Sequence, residues 1–336
     1  MTRVRLKDVA EHAGVSLKTV SNVVNSHPHV KPEMRQKVLT SIDLLGYRPN
    51  ITARRLATGR TKTLALAVSG ISIPYFAELS ERIYKQAAAR GYNVLLAQTG
   101  DTLEGELAVL NNQETGLYDG LIFHPGQVTA DEIEKRASVF PCVIIGESNA
   151  PPTVDHVFID NYQAAKDVTE HLLAQGRKNL LFVGYESQHI TMTSMQRLMG
   201  FRQAFLDRGL TSDPNREIAI AHSRPDSAFE ALLATLETGI PVDGIICRDD
   251  LPAMGVLRAL ASKGLRVPQD VAVTGWDNLS TSAFLVPSLT SVDPNSDEIA
   301  AQAVDQLIAR IEGDQSPGRP IVIPHKIINR ESSAGE

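Results

Sequence analysis

The apolar positions of residues 6–25, LKDVAEHAGVSLKTVSNVVN, fall on two short helical stripes with one glycine between them. Leu6, Val9, Ala10 and Ala13 recur at i, i+3, i+4 and i+7, which places them on one helix face. Gly14 suits a tight turn, Val15 packs beneath it, and Ser16 is a good N-cap. In the second stripe Val20, Val23 and Val24 point one way, while Leu17, Lys18, Ser21, Asn22 and Asn25 point the other. This outer face is small, polar and lightly basic, with no reason to be buried. Helix, glycine turn and helix with a hydrogen-bonding face is the helix-turn-helix layout, whose second helix enters the DNA major groove. A plain helical hairpin has the same outline. Pro32 opens a third helix with Met34, Val38, Ile42 and Leu45 as its stripe, ended by Gly46. Pro49 then breaks the chain and Asn50 can cap a further short helix over 51–58, closed by Gly59. Eight residues do not hold a helix in water, so this segment orders only when something docks it.

From Thr63 the period changes. TLALAVS, YNVLLAQ, DGLIFHP, PCVIIG and HVFID read as strands, with helices over Pro74–Arg90, Leu103–Thr115 and Asp131–Ser138 between them. The alternation then restarts. Helices over Asn161–Gln175, Ser194–Arg208, Asp226–Leu236 and Leu251–Lys263 separate the strands NLLFVG, EIAIA, DGIIC and VAVTG. This order predicts two doubly wound parallel α/β sheets. The last pieces, LTSVD, a helix over 297–311, PIVIP and HKIIN, are short enough to complete both sheets. The expected plan is a helical headpiece over 1–49, a short helix and linker over 50–62, and two α/β subdomains. The first takes 63–161 and 292–323, and the second 162–291 and 324–336. Several crossings and a cleft between lobes follow, with ligands expected at the carboxyl ends of the strands. Such a cleft can close on a small molecule.

Charge sharpens this division. The first 62 residues carry twelve Lys or Arg against four Asp or Glu, and the remainder carries 21 basic against 35 acidic residues. A basic head on an acidic body suggests a nucleic-acid-binding end. Cys142 and Cys247 lie in apolar runs and read as buried thiols of a reducing compartment. No apolar run approaches the length of a membrane span, and the N-terminus lacks a signal-peptide core, so a cytoplasmic protein with no membrane partner is expected. GRTKT at 59–63 lacks the spacing of a phosphate loop. There is no GxGxxG after the first strand, no GxSxG elbow and no metal-spaced His/Cys set. His27 and His29 flank Pro28 in a loop. Neither an enzyme nor a cofactor or metal is expected.

The order of parts resembles the LacI/GalR (lactose-repressor/galactose-repressor) family of bacterial transcription factors along essentially the whole chain. The residues that carry the resemblance are 6–25, LGYRPN at 45–50, ARRLATG at 53–59, FIDN at 158–161, RLMGF at 197–201, CRDDLPAMG at 247–255 and GWDN at 275–278. The resemblance implies an all-α helix-turn-helix headpiece on a two-lobed periplasmic-binding-protein-like body, acting as a homodimer on a pseudo-palindromic operator in double-stranded DNA. Leu17, Lys18 and Asn22 would read bases, Asn suiting adenine and Lys guanine or phosphate. Thr19, Ser21 and Asn25 suit phosphate or mixed contacts, and Leu6 and Ser16 belong to the same DNA-binding set. Asn50, Ala53, Arg54 and Leu56 would belong to a hinge helix in the minor groove, with Leu56 as the apolar wedge and Arg55 beside it. The effector pocket would comprise Tyr75, Phe76, His124, Arg197, Asp249 and Asp277. Acid and Arg at strand ends can hold vicinal sugar hydroxyls, and aromatic rings offer a platform for a sugar face or a nucleobase.

The resemblance thus implies a repressor of sugar uptake or catabolism genes whose operator binding a small carbohydrate alters. Whether that ligand induces or co-represses stays open. Asp249 stands where the family often has Asn, and Arg248 beside it is unusual. Either Asp249 or Asp250 is placed to cap the following helix. The chain lacks the leucine-rich tail helix of tetrameric members, so a dimer is expected. A sugar-transport binding protein would share the body but needs a signal peptide where this chain has a basic head.

Overall fold

A computed structural model describes residues 4–24, 29–47, 60–112, 116–137, 139–146, 150–186, 190–211 and 213–334. Asn25, Asn50, Ala53, Arg54, Arg55, Leu56 and the expected helix over 51–58 lie outside the described residues, as do His27 and Pro28. The chain divides into two units, Met1–Thr61 and Lys62–Glu336.

In the first unit α1 (Leu6–Ala13), α2 (Leu17–Val24) and α3 (Pro32–Leu45) surround Val9, Ala10, Ala13, Val20, Val23, Val38 and Tyr47. Asp8 turns back to accept from the Arg5 backbone N–H at 2.8 Å, which satisfies a free donor at the start of α1. Gly14 ends that helix at φ 62°, the left-handed region that glycine enters without a Cβ penalty. Ser16 Oγ accepts from the Thr19 N–H at 3.1 Å and opens α2. On α3 the stripe is only partly inward. Val38 is buried and Ile42 and Leu45 are half-buried, but Met34 is exposed. The first turn of α3, where Met34 stands, reaches beyond the small core.

The second unit holds two six-stranded sheets. The first contains β1 (Thr63–Val68), β2 (Asn93–Gln98), β3 (Gly120–Phe123), β4 (Cys142–Ile145), β5 (Asp155–Ile159) and β11 (Pro320–Ile323), ordered β11-β5-β4-β3-β1-β2. Its helices are α4 (Pro74–Ala89), α5 (Leu103–Asn111) and α6 (Ala130–Ala137). Phe76, Leu79, Ile83 and Ala87 are all buried on one side of α4, as their spacing predicts. The second sheet contains β6 (Leu180–Glu186), β7 (Glu217–Ile220), β8 (Gly244–Cys247), β9 (Ala272–Trp276), β10 (Thr290–Asp293) and β12 (Lys326–Ile328), ordered β12-β10-β9-β8-β6-β7. It is flanked by α7 (Asn161–Ala174), α8 (Met192–Leu206), α9 (Pro225–Glu237) and α10 (Asp250–Ser262).

All pairings are parallel except β10 with β12, so the second sheet is mixed rather than purely parallel. β12 pairs with β10 and not with β11, the strand just before it, which lies in the other sheet. The chain crosses between lobes from β5 into α7, from β10 into α11 (Ser296–Glu312), and from β11 into β12. α11 packs on β3, β4 and β5 of the first sheet. One apolar cluster joins the inner faces of both lobes, from Leu64 and Ile83 to Phe182, Phe201 and Trp276. At the outer edge of the first sheet, β2 leaves Leu95 and Leu96 exposed, and Tyr84 of the adjacent α4 is exposed too.

Candidate effector cleft and DNA-reading face

The carboxyl ends of β6, β8 and β9 set out the polar half of the cleft. Arg197, one turn into α8, is only 6% exposed. Its Nε donates to Asn161 Oδ1 at 2.7 Å, Nη1 donates to the Arg248 carbonyl, and its guanidinium lies 3.9 Å from the centre of the Trp276 ring. Asn161 is the first residue of α7, where the chain crosses between lobes, so Arg197 is fixed to a crossing point as well as to the strand ends. A planar cation stacked on indole and held from two sides has little rotamer freedom left to lose on binding.

Asp277 follows Trp276 directly, at φ 95°, and Asn278 follows at φ 49°. Two successive non-glycine residues in this region are strained by roughly 1–3 kcal/mol each and persist only where surrounding contacts impose them. Those contacts are present. The Asp277 N–H donates to the Val292 carbonyl at 2.9 Å, the Asn278 N–H to Ser291 Oγ at 2.9 Å, and the Leu279 N–H to Asp250 Oδ2 at 2.9 Å. Burial pushes the Asp277 carboxyl well above the usual carboxylate range, against the pull of Arg197. A carboxyl can meet a hydroxyl as acceptor when ionised and as donor when protonated.

Asp249 and Asp250 divide the capping question. Asp249 Oδ1 accepts from the Leu251 N–H at 3.1 Å, which makes Asp249 the N-cap of α10. Its other oxygen accepts from Ser223 Oγ at 2.6 Å and Arg248 Nη1 at 2.9 Å. Asp250 is fully buried and takes Ser282 Oγ at 2.6 Å and Ser291 Oγ at 2.7 Å besides Leu279. Burial raises its carboxyl to about 6 even so. Gly275 sits against it, and a Cβ there would lie 2.2 Å from Asp250 Oδ1. Arg248 reaches Ser194 Oγ at 2.6 Å and Glu186 Oε1 at 3.1 Å. Burial alone would raise Glu186, but Arg248 and the surrounding hydrogen bonds hold it below its ordinary value.

The other lobe supplies aromatic surface. Tyr75 and Phe76 open α4 with ring centroids 5.2 Å apart, and Phe76 meets His124, after β3, edge-on at 4.8 Å. Gly146 leaves room for that imidazole, since a Cβ there would lie 2.6 Å from it. One turn beyond Tyr75, Glu78 Oε1 accepts from Ser280 of the second lobe, from its N–H at 2.9 Å and its Oγ at 2.8 Å. The aromatic group and the Asp277 loop therefore meet on one side of the body.

Arg197 and Asp277 thus share the second-lobe side, Tyr75, Phe76 and His124 form one group on the first, and Asp249 is engaged as a cap. Asn161, Glu186, Arg248, Asp250 and Ser280 join the site without having been expected there. Asn161 stands within the FIDN motif and Arg248 drew notice as an oddity. Nothing local in the sequence marks Glu186 or Ser280.

In the headpiece, Ser16, Leu17 and Lys18 are exposed at the start of α2, and Thr19, Ser21 and Asn22 are half-buried. Leu17 is 52% exposed. Leu6 differs from the others, packing partly against the headpiece core. Among the described residues no cluster of His, Cys, Asp and Glu could hold a metal ion, and no helix is long and apolar enough to cross a membrane.

The model of bacterial regulatory proteins of the lacI family matches residues 5–50, and that of a periplasmic binding protein-like domain matches 169–333. Catabolite control protein A of Priestia megaterium is 34% identical over 333 residues, covering 98% of this chain and 99% of that protein. The transcriptional regulator CelR in complex with cellobiose is 27% identical, with a TM-score of 0.73 over 98% of this chain and all of that one. The lac repressor dimer bound to operator and the anti-inducer ONPF shares the fold at a TM-score of 0.87 and 24% identity, covering 99% of this chain and 100% of that one.

Proposed function

Because the chain belongs to the LacI family of bacterial transcriptional regulators, matching a 34% identical relative over 98% of its length, we propose that it represses sugar uptake or catabolism genes and holds or releases its operator according to a small carbohydrate in the interlobe cleft. The observation that carries the sugar reading is Asp277 beside Arg197, a buried acid next to an immobilised cation, with Tyr75, Phe76 and His124 on the facing lobe. Charge-assisted hydrogen bonds to adjacent hydroxyls and an aromatic platform are the chemistry of carbohydrate recognition. A relative whose structure is a complex with cellobiose supports the same class. Nucleobases remain the second ligand class, favoured by the aromatic group alone.

On this reading Leu17, Lys18 and Asn22 meet base edges, with Leu6, Ser16, Thr19, Ser21 and Asn25 at the backbone and Asn50, Ala53, Arg54 and Leu56 in the minor groove. Asp249 acts at one remove, by fixing α10 and Arg248. The protein works in the cytoplasm as a homodimer, paired through the exposed Leu95, Leu96 and Tyr84 of the first lobe and Phe284 and Val286 of the second. The chain is organised as a headpiece over 1–49, a hinge helix and linker over 50–62, and two effector subdomains, 63–161 with 292–323 and 162–291 with 324–336.

Titration calorimetry with mono- and disaccharides found by thermal shift tests the pocket. Asp277→Ala should weaken binding by 10- to 100-fold, the loss of a charge-assisted hydrogen bond of about 1.5–3 kcal/mol. Unchanged affinity removes Asp277 from the pocket. A gel shift on the gene's own upstream DNA, with and without the sugar, tests regulation. No shift on any DNA overturns it.

A further inference from the structure

The segment from Asp277 to Ser282 is held at both ends. Within its own lobe Asp250 grips it through the Leu279 N–H and the Ser282 hydroxyl, while Arg330 holds Asn278 Oδ1 at 2.6 Å. The segment therefore moves with the second lobe as a rigid piece. At its outer end, Ser280 gives both its N–H and its hydroxyl to one oxygen of Glu78 on the first lobe. Glu78 is itself braced. Its second oxygen meets Arg82 at 3.3 Å, and Arg82 meets Asp297 of α11 at 3.1 Å. A carboxylate aimed by an arginine on its own helix, receiving two donors from a rigid loop of the opposite lobe, is made at one lobe angle and broken at others.

We propose that Glu78 and Ser280 form an interlobe latch that fixes the resting angle of the cleft, and that it couples to the ligand because Ser280 shares its loop with Asp277. The second half rests on the effector reading above, and the first half does not. A ligand held by Asp277 pulls on a loop whose far end is fastened to the other lobe. It then changes the lobe angle by favouring or opposing the latch, and only to the extent that its affinity differs between the two arrangements.

Pulsed electron–electron distance measurements on the full-length protein test the latch without a ligand. Spin labels are placed at Asp131→Cys on α6 and Glu230→Cys on α9, both exposed. Cys142 and Cys247 are buried and stay unlabelled. Dilution with unlabelled protein keeps distances within one subunit. Glu78→Ala should shift or broaden the interlobe distance by several ångströms, and Ser280→Ala, which keeps the N–H, should do so less. Glu81→Ala, on the same helix and paired with Lys85, should match wild type. Wild-type distances in Glu78→Ala overturn the latch.

The coupling is read with cellobiose, glucose and adenine as probes. A bound probe whose affinity is the same in Glu78→Ala and wild type overturns the coupling while leaving the latch. Binding of none of them counts against the effector reading and the coupling together, and the distances still decide the latch.

Discussion

Asp250 is the residue on which most of the second lobe's cleft geometry depends. It is fully buried, takes three donors and has no cation among them, and its proton is held up to about 6 by burial. A folded-state value above the ordinary 3.8 means that the native protein keeps this proton where the unfolded chain has lost it. Stability from this site is therefore largest at low pH and falls as pH rises between those two values. Asp250→Asn keeps an acceptor of similar shape and removes the titration. Its melting temperature should fall less steeply than that of wild type between pH 4 and 6 by circular dichroism, and an identical slope in both proteins refutes the assignment. Gly275 has the complementary role. Only a residue without a Cβ lets the strand approach this carboxylate, and that approach sets the turn on which Asp277 stands.

At the scale of elements, α2 separates folding from reading. Val20 and Val23 bind it to the headpiece core and Ser16 caps it, whereas Lys18 and Leu17 face outward. Asn22→Ala should leave the headpiece folded and weaken its preferred operator by about 1–3 kcal/mol, with relaxed choice at one base position. Binding assays on a set of single-base operator variants check this, and uniform weakening across them would make Asn22 a backbone contact instead.

These elements were legible in the sequence because each rests on a short-range pattern. The Gly14 turn, the Ser16 cap, the buried face of α4 and the alternation of strands and helices all show themselves within a few residues of chain. Met34 read as inward because periodicity reports a face and not how far the core extends. The site was legible at Arg197 and Asp277, which stand in motifs. It was not legible at Glu78 and Ser280, nor in the pairing of Arg197 with Asn161, because these contacts depend on how two sheets are set against each other across many residues of chain.

For the whole molecule, the two lobes carry apolar edges in the described unit that a symmetric partner can cover. Leu95, Leu96 and Tyr84 lie on one lobe, and Phe284 is 86% and Val286 95% exposed on the other. A bare edge strand with outward leucines is an invitation to pair unless it is covered. Tyr84→Glu combined with Leu95→Glu should give monomers by light scattering at micromolar concentration. Operator affinity should fall by more than tenfold, since each half-site is then bound alone. Persistence of the dimer in this variant would move the interface elsewhere.

The crossings between lobes also have a consequence for synthesis. β5 emerges from the ribosome as the fifth strand of its sheet, yet α11, which covers it, and β11, which pairs with it, lie about 140 and about 160 residues later. At about 5–20 residues per second the unfinished lobe waits roughly 10–30 s for its last layer. Throughout that interval the surface awaiting Ile299, Ala303 and Leu307 is open to neighbouring chains. The small headpiece, complete before residue 50, is free to fold from the start. A nascent copy can therefore have a finished DNA-reading end while its switch is still being made.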